Sequence, residues 1–303
     1  MLNTGKFKVT AITRPDSTNT VPSGVEVKKV DYNDKDALVS ALRGYDVLII
    51  TMAVTAPPDQ ESKLVEAAAA ADIPWVLPNE WGGDILNEEM GRDNMLGPMK
   101  KKTRDLIDHL GKSSWISVVC NFWYEYSLSG SSALFGFDFK ERTVTLYDDG
   151  NTVINTSTWP QTGRAVAKLL SLKVLPENEN DKSPTLDMFR NKPLYVSSFK
   201  VSQRDMLASV LRVTGTSQDD WKITHEPVKD RYNAGVAQMK GGDRIGFGKM
   251  LYARMFYPDQ CGNYEDTRGL HNDLLGLPKE DMDEFTKIAV DRALHGPSLF
   301  SKS

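Results

Sequence analysis

The sequence predicts an α/β fold organised on a mostly parallel sheet, with a smaller mixed α+β region toward the C-terminal end. Three observations carry this expectation. Apolar runs of strand length alternate with helical patterns through the first third of the chain. Asp46 to Met52 (DVLIITM) has a continuous apolar centre, as a strand covered on both faces requires. Each gap between strands is long enough for a helix, which implies right-handed crossovers in a parallel sheet.

The elements follow in order. Lys6 to Arg14 (KFKVTAITR) reads as a first strand, ending at the turn Pro15-Asp16-Ser17. Val25 to Asp31 is a second strand, and Asn33 or Asp34 caps the helix after it, with Leu38, Ala41 and Leu42 inward and Gly44 at its end. After the apolar strand at Asp46, Pro57-Pro58 open a helix through DQESKLVEAAAAAD. Trp75 to Pro78 is a short strand, and Gly82 to Leu96 reads as a long loop of mixed polarity. Pro98 starts a helix that Gly111 closes, and Ser114 to Asn121 is a further strand. Beyond it, Thr143 to Tyr147 runs into Asp148-Asp149-Gly150-Asn151, a hairpin signal. Helices are expected at Gln161 to Leu172, from the Ser202 cap to Val213, and near 230–239, 244–256 and 279–294; Pro193 to Ser198 is the last expected strand of the sheet.

Composition narrows the functions. Of 303 residues, 40% are hydrophobic and 26% charged, ordinary for a globular protein, and the net charge of -4 supplies no field for nucleic acid. Cys120 and Cys261 are the only cysteines, which speaks against a disulfide framework and for a reducing, cytoplasmic setting. No stretch has membrane-spanning length, and no signal-peptide pattern opens the chain. The histidines at 109, 225, 271 and 295 lack metal-ligand spacing, so no metal is expected. G-x-S-x-G is absent, and GGDRIGFGKM lacks the residues of a phosphate loop.

Two basic residues invite a functional reading. Arg14 stands at a strand tip, where a doubly wound dinucleotide fold meets the adenosine ribose. An arginine there pairs with a 2′-phosphate, whereas a carboxylate would select the free hydroxyl. Ser17 can add a hydroxyl donor. Asp31, at the next strand end, can meet the adenine edge, though it suits a plain turn aspartate equally, and Arg14 alone also fits a solvated strand end. Lys100 opens the run Lys100-Lys101-Lys102 on a helix. Such runs usually form a solvated face. Met99, Leu106 and Leu110 mark the expected apolar side, with Lys100 at its margin and Thr103, Arg104 and Ile107 along its own row. A glycine-rich turn that would cradle a pyrophosphate is missing: only Met1 to Gly5 precede the first strand. This predicts weakened cofactor affinity, and it predicts that the flanking strands either pair directly or leave open edges.

TAITRPDS, VLPNEWGGD, MKKKTRDLI and VVCNFWYE occur in an order and spacing that resembles the NmrA-like and isoflavone-reductase-like proteins, fungal members in particular. PLYVSSFKVSQRDMLASVLRVTG and RIGFGKMLYARMF are similar to the same family. The resemblance implies a Rossmann-like atypical short-chain dehydrogenase that binds NADP(H), here lacking its first strand and helix. It implies a core over 1–125, rejoined by 142–172 and 193–213, with 126–141, 173–192 and 214–303 on the substrate side. Lys100 matches the family's catalytic lysine, as general acid/base, with Thr103 a mild departure from the usual Val or Ile. Cofactor contacts are expected from Arg14, Ser17, Asp31, Thr51, Pro78, Asn79, Asn121 and Phe122. Pro78-Asn79-Glu80-Trp81-Gly82 stands where the family has P-S-E-F-G; Glu80 is expected to tie adjacent loops. Trp81, Trp123 and Tyr126 are expected to line the substrate pocket, although a buried aromatic cluster is equally consistent with their spacing. The implied activity is NADPH-dependent reduction of a small aromatic or polyketide-like molecule. The alternative is a non-catalytic NADP-sensing regulator, or an inactive truncated remnant, that binds a protein partner. A homodimer is compatible with either.

Overall fold

The computed structural model describes residues 1–53 and 56–296. In chain order the elements begin β1 (Thr10–Thr13), β2 (Glu26–Lys29), α1 (Lys35–Leu42), β3 (Val47–Ile49), α2 (Gln60–Ala70), β4 (Trp75–Leu77), α3 (Glu88–Asp93) and α4 (Gly97–Leu110). They continue with β5 (Ser114–Val119), β6 (Phe122–Trp123), α5 (Tyr124–Leu128), β7 (Phe137–Asp138), β8 (Thr143–Tyr147), β9 (Val153–Ser157) and α6 (Trp159–Leu169). The last are β10 (Lys192–Tyr195), β11 (Phe199–Ser202), α7 (Gln203–Thr214), β12 (Lys222–Glu226), α8 (Val228–Lys240), α9 (Arg244–Met255), α10 (Tyr264–Arg268) and α11 (Met282–His295).

Two compact units emerge. Of the described residues, the first holds those within 1–81, 96–119 and 163–194; the second holds 82–95, 120–162 and 195–296. This division differs from the boundaries expected above. Residues 82–95, 120–125, 142–162 and 195–213 fall in the second unit, and 173–192 fall in the first because they lead into β10, which joins the first unit's sheet.

The first unit carries its parallel strands in two ladders. β1 pairs with β2, Thr10 opposite Glu26. β3 pairs with β4, β4 with β5, and the order of the second ladder is β10-β5-β4-β3. Among the described residues no ladder joins β1 to β3, so the open edges of the two alternatives are what forms. One side chain serves in place of a ladder, the Tyr45 hydroxyl just before β3 bonding Thr10 Oγ1 at 2.8 Å, while the Tyr32 hydroxyl, on the turn after β2, donates to the Ile12 carbonyl at 2.9 Å and braces the β1–β2 pair itself. β4 and β5 are buried along their whole length, in keeping with their apolar sequences. The Asp34 carboxylate caps α1 by accepting from the Ala37 amide, and Gly111 ends α4 at φ 63°, a left-handed position that glycine takes without strain. The inner face of α2 consists of Glu61, Leu64, Val65 and Ala68, spaced at i, i+3, i+4 and i+7.

Two three-stranded mixed sheets, β11-β9-β6 and β12-β8-β7, belong to the second unit. Its core gathers Phe135, Phe137, Leu146, Ile154, Met206 and Phe256, among others. α8 and α9 cross closely at Gly235 and Gly246; a Cβ on Gly235 would lie 2.5 Å from the Met250 amide nitrogen. Two local expectations are corrected here. The segment 82–96 is not all loop: α3 forms because Asn87 caps it, its side chain accepting from Met90 N at 3.0 Å. The expected hairpin at 148–151 does not zip, since β8 pairs with β7 and β12 while β9 pairs with β11 and β6.

Candidate functional site

Within the first unit, four charged side chains meet around the exit of β4 and the first turns of α2 and α4. Glu80 follows β4 and its side chain is 1% exposed. Its Oε1 accepts from Arg104 Nη1 at 2.6 Å and its Oε2 from the Ser117 hydroxyl at 2.6 Å. One carboxylate thereby joins a strand exit, α4 and the middle of β5. Arg104 also lies over the Trp115 ring, 5.5 Å from its centre. Burial pushes the Glu80 carboxyl above its usual range, with Arg104, Ser117 and Lys100 acting against that rise.

Lys100 lies one turn before Arg104. The inward row of α4 is Lys100, Thr103, Arg104 and Ile107, with Thr103 and Ile107 buried. Met99 is 49% exposed, so the expected inward side of Met99, Leu106 and Leu110 is corrected by one step around the helix. The row through Thr103 wins because α4 packs on α2 and β5 along it. Lys100 is half-buried, and this lowers its pKa below the ordinary lysine value; Glu61 and then Glu80 act to raise it, and Arg104 to lower it.

Glu61 was not singled out from the sequence. It is 8% exposed, on the first turn of α2, and accepts a hydrogen bond from Asn79 N at 2.8 Å. The signal that could have found it is a carboxylate on the apolar stripe of an amphipathic helix. Asn79 uses its side chain on the backbone: Oδ1 accepts from Met52 N at 3.1 Å and Nδ2 donates to the Met52 carbonyl at 3.3 Å. Trp81 Nε1 donates to the Ile50 carbonyl at 2.8 Å. Both residues fasten the exit of β4 to the end of β3. Pro78 is buried beside them, and Thr51 is exposed.

A groove of about 500 Å³ in the same unit is lined by Arg14, Asp16, Asp31, Tyr32, Asn33, Asp59, Gln60 and Lys63 together with two prolines. The Arg14 side chain is 61% exposed, and its Nε sits 3.7 Å from an Asp16 oxygen, a loose contact that leaves most of its donors for another partner. Lys29 Nζ donates to the carbonyls of Pro15 and Ser17 at 3.2 and 3.4 Å, holding the turn that carries Ser17. Asp31 accepts from the Asn33 backbone at 2.9 Å and from its side chain at 3.2 Å, so one of its oxygens serves the turn. Lys63, also missed from the sequence, bonds Asn33 Oδ1 at 2.8 Å and Asp59 at 2.5 Å, and this bond holds Asp59 below the usual carboxylate range.

The remaining expected residues lie in the second unit. Asn121 adopts φ 50° and is buried, its Nδ2 donating to the Asn155 carbonyl at 2.7 Å. Phe122 stacks on Tyr252 at 3.7 Å. Trp123 meets Tyr126 edge-on at 6.2 Å and tilts against Trp159 at the same distance, with the Arg292 guanidinium over the Tyr126 and Trp159 rings. The structure thus gathers Arg14 and Asp31 at the groove, with Ser17 on the adjoining turn and outside its lining, and Asn79, Trp81 and Lys100 with Glu61 and Glu80. Among the described residues no group of three or more His, Cys, Asp or Glu could hold a metal ion, and no helix is long and apolar enough to cross a membrane.

Comparison with known proteins adds four findings. Residues 1–143 match the NmrA-like family. The oxidoreductase aprR of Aspergillus flavus is 25% identical over 285 residues, covering 92% of this chain and 89% of that protein. Among solved structures, AtPrR2 with NADP+ and (+)pinoresinol aligns with a TM-score of 0.68 at 19% identity, covering 94% of this chain and 92% of that one. Leucoanthocyanidin reductase from Vitis vinifera, in binary complex with NADPH, aligns with a TM-score of 0.68 at 15% identity, covering 93% and 90%. These likenesses show the fold: an α/β architecture with a parallel sheet of the Rossmann type.

Proposed function

Residues 1–143 match the NmrA-like family, and on that premise we propose that the chain is a member of it and an NADPH-dependent reductase of a small aromatic or polyketide-like molecule. The observation that carries this reading is Lys100: a half-buried ammonium on the inward row of α4, with the carboxylates of Glu61 and Glu80 acting on its charge. The groove at the tip of β1 fits the adenosine end of the cofactor, because Arg14 brings a guanidinium whose donors are mostly unspent.

When bound, the reduced nicotinamide supplies the hydride. The chain's own residues do the rest. Arg14 pairs with the 2′-phosphate and Ser17 adds a hydroxyl, so the phosphorylated cofactor is preferred. Asp31 and Thr51 border the ribose and adenine path. Asn79 and Asn121 act through shape, their amides holding the backbone that Pro78 and Phe122 continue. Lys100, in its charged form, donates a proton to the oxygen that gains charge as hydride arrives, or stabilises it electrostatically. A lysine pKa lowered by burial eases that proton transfer toward neutral pH. Trp81 in the first unit, and the Trp123–Tyr126 pair in the second, are each a candidate ring surface for an aromatic substrate.

The test is cofactor titration followed by nicotinamide fluorescence. NADPH should bind more tightly than NADH, and Arg14→Ala should erase the difference. Equal affinity for the two, or binding of neither, rejects the reading. Tight NADPH binding without turnover on aromatic ketones, enones and benzylic ethers would favour the sensing regulator instead.

A further inference from the structure

The inner face of α2 holds one residue that apolar packing does not explain. Leu64, Val65 and Ala68 are what an amphipathic helix presents to a core, yet Glu61 shares their stripe and is 8% exposed. Burying a carboxylate costs several kcal/mol unless hydrogen bonds and an opposite charge compensate it. The Asn79 amide supplies one hydrogen bond, at 2.8 Å. The compensating charge follows from the accounting of the cluster. Glu80 spends one oxygen on Arg104 and the other on Ser117. Two cations and two carboxylates are present, so Arg104 belongs with Glu80, and Glu61 is left to balance Lys100 where α2 packs on α4.

We propose that Glu61 is the positioning residue of Lys100, holding its ammonium charged and directed so that it is a competent proton donor. The proposal rests on the reading of Lys100 as general acid and adds the group that sets its charge. The groups that act on Lys100 are Glu61 from α2, Glu80 from the exit of β4 and Arg104 from α4 itself, and of the two carboxylates Glu61 acts more strongly. Glu61 does not touch the reacting atoms; it acts through Lys100. Its backbone link to Asn79, whose side chain grips Met52, fixes the carboxylate to the ends of β3 and β4. The lysine is in this way referenced to the sheet rather than to its own flexible stem.

The experiment measures Lys100 directly, in the full cofactor-free chain. Acetic anhydride labelling across neutral to alkaline pH, read by mass spectrometry, gives the midpoint at which Lys100 becomes nucleophilic, with Lys101 as internal control. In Glu61→Gln the midpoint should fall by about one pH unit or more, the size expected for loss of a nearby opposite charge. Glu61→Asp should stay near the wild-type value, and Glu61→Met, which suits the apolar stripe, should reproduce the fall and serves if the glutamine variant does not fold. In the enzyme, the same variants should move the alkaline limb of kcat to lower pH while leaving the Kd for NADPH unchanged. An unmoved labelling midpoint in both charge-removing variants overturns the proposal. A moved midpoint in a chain that turns over no substrate upholds the coupling of Glu61 to Lys100 and removes the reductase reading alone.

Discussion

Replacing Arg104 by methionine tests the buried charge cluster most severely. The wild-type pair is short, 2.6 Å between Arg104 Nη1 and Glu80 Oε1, and its side chains are 12% and 1% exposed. Removing the arginine leaves Glu80 with only the Ser117 hydroxyl and the more distant Lys100 charge. Stranding one partner of such a pair costs about 3–5 kcal/mol, well above the ~1 kcal/mol ceiling of an exposed pair. The pH dependence follows from the direction of the Glu80 shift. Burial already raises its folded-state pKa above the unfolded value, and loss of Arg104 raises it further. Between the unfolded and folded pKa the native state binds the extra proton, so stability falls as pH rises through that window. The penalty in Arg104→Met should therefore be full at neutral pH and shrink toward the unfolded glutamate pKa near ~4.3. Urea denaturation at neutral and mildly acidic pH measures it, and Glu80→Gln in the same background should recover part of the loss. A loss below about 1 kcal/mol at neutral pH, or an equal loss at both pH values, would refute the account.

Three further outcomes are expected. Calorimetric titration should show 2′,5′-ADP binding about tenfold or more tightly than 5′-ADP, and Arg14→Ala should remove that ratio while leaving 5′-ADP unaffected; the low end of the usual range for charged hydrogen bonds applies because Arg14 is mostly exposed. Lys100→Ala should abolish NADPH-dependent turnover and lower the melting temperature, because it strands the Glu61 carboxylate; adding Glu61→Gln should recover part of the stability and none of the activity. In the active wild type the alkaline limb of kcat should lie below the ordinary lysine pKa, since burial lowers it. Gly235→Ala should destabilise the chain by about 1–3 kcal/mol in chemical denaturation, because the added Cβ meets the backbone of α9 at 2.5 Å and cannot be relieved by a side-chain rotation.

Much of the fold was legible because local chemistry and global architecture agree. The Asp34 cap, the prolines before α2, Gly111 after α4 and the Ser202 cap of α7 each sit where the periodic apolar pattern starts or stops. β4 and β5 were visible as apolar runs because both faces are covered. What escaped was set by distant partners. β12 (KITHE) is short, polar and half-exposed, and it is a strand only because β8 pairs with it from far along the chain. That pairing also explains why the turn at 148–151 makes no hairpin. α3 was hidden by Gly91, which is buried, and by a cap that only the fold identifies. At the candidate site, Lys100 and Arg14 stood out as cations at helix and strand positions of known significance. Glu61 and Lys63 did not, because the meaning of each depends on a neighbour contributed by another element: Asn79 for the first, Asn33 for the second.

The interruption between β1 and β3 has a dynamic consequence. The guanidinium that would read the adenosine end rides on a two-stranded ribbon, joined to the rest of its unit by hydroxyl and ammonium contacts from Tyr45, Lys28 and Lys63 rather than by a hydrogen-bonded seam. Such a ribbon can lift or melt by itself at a free-energy cost well short of global unfolding. Amides of β1 and β2 should then exchange with deuterium before those of β4 and β5, and a ligand bridging the groove should slow the former selectively. Occupancy at one end of the cofactor path would thus be felt first as stiffening of a hinge-like flap, with the lysine cluster left undisturbed.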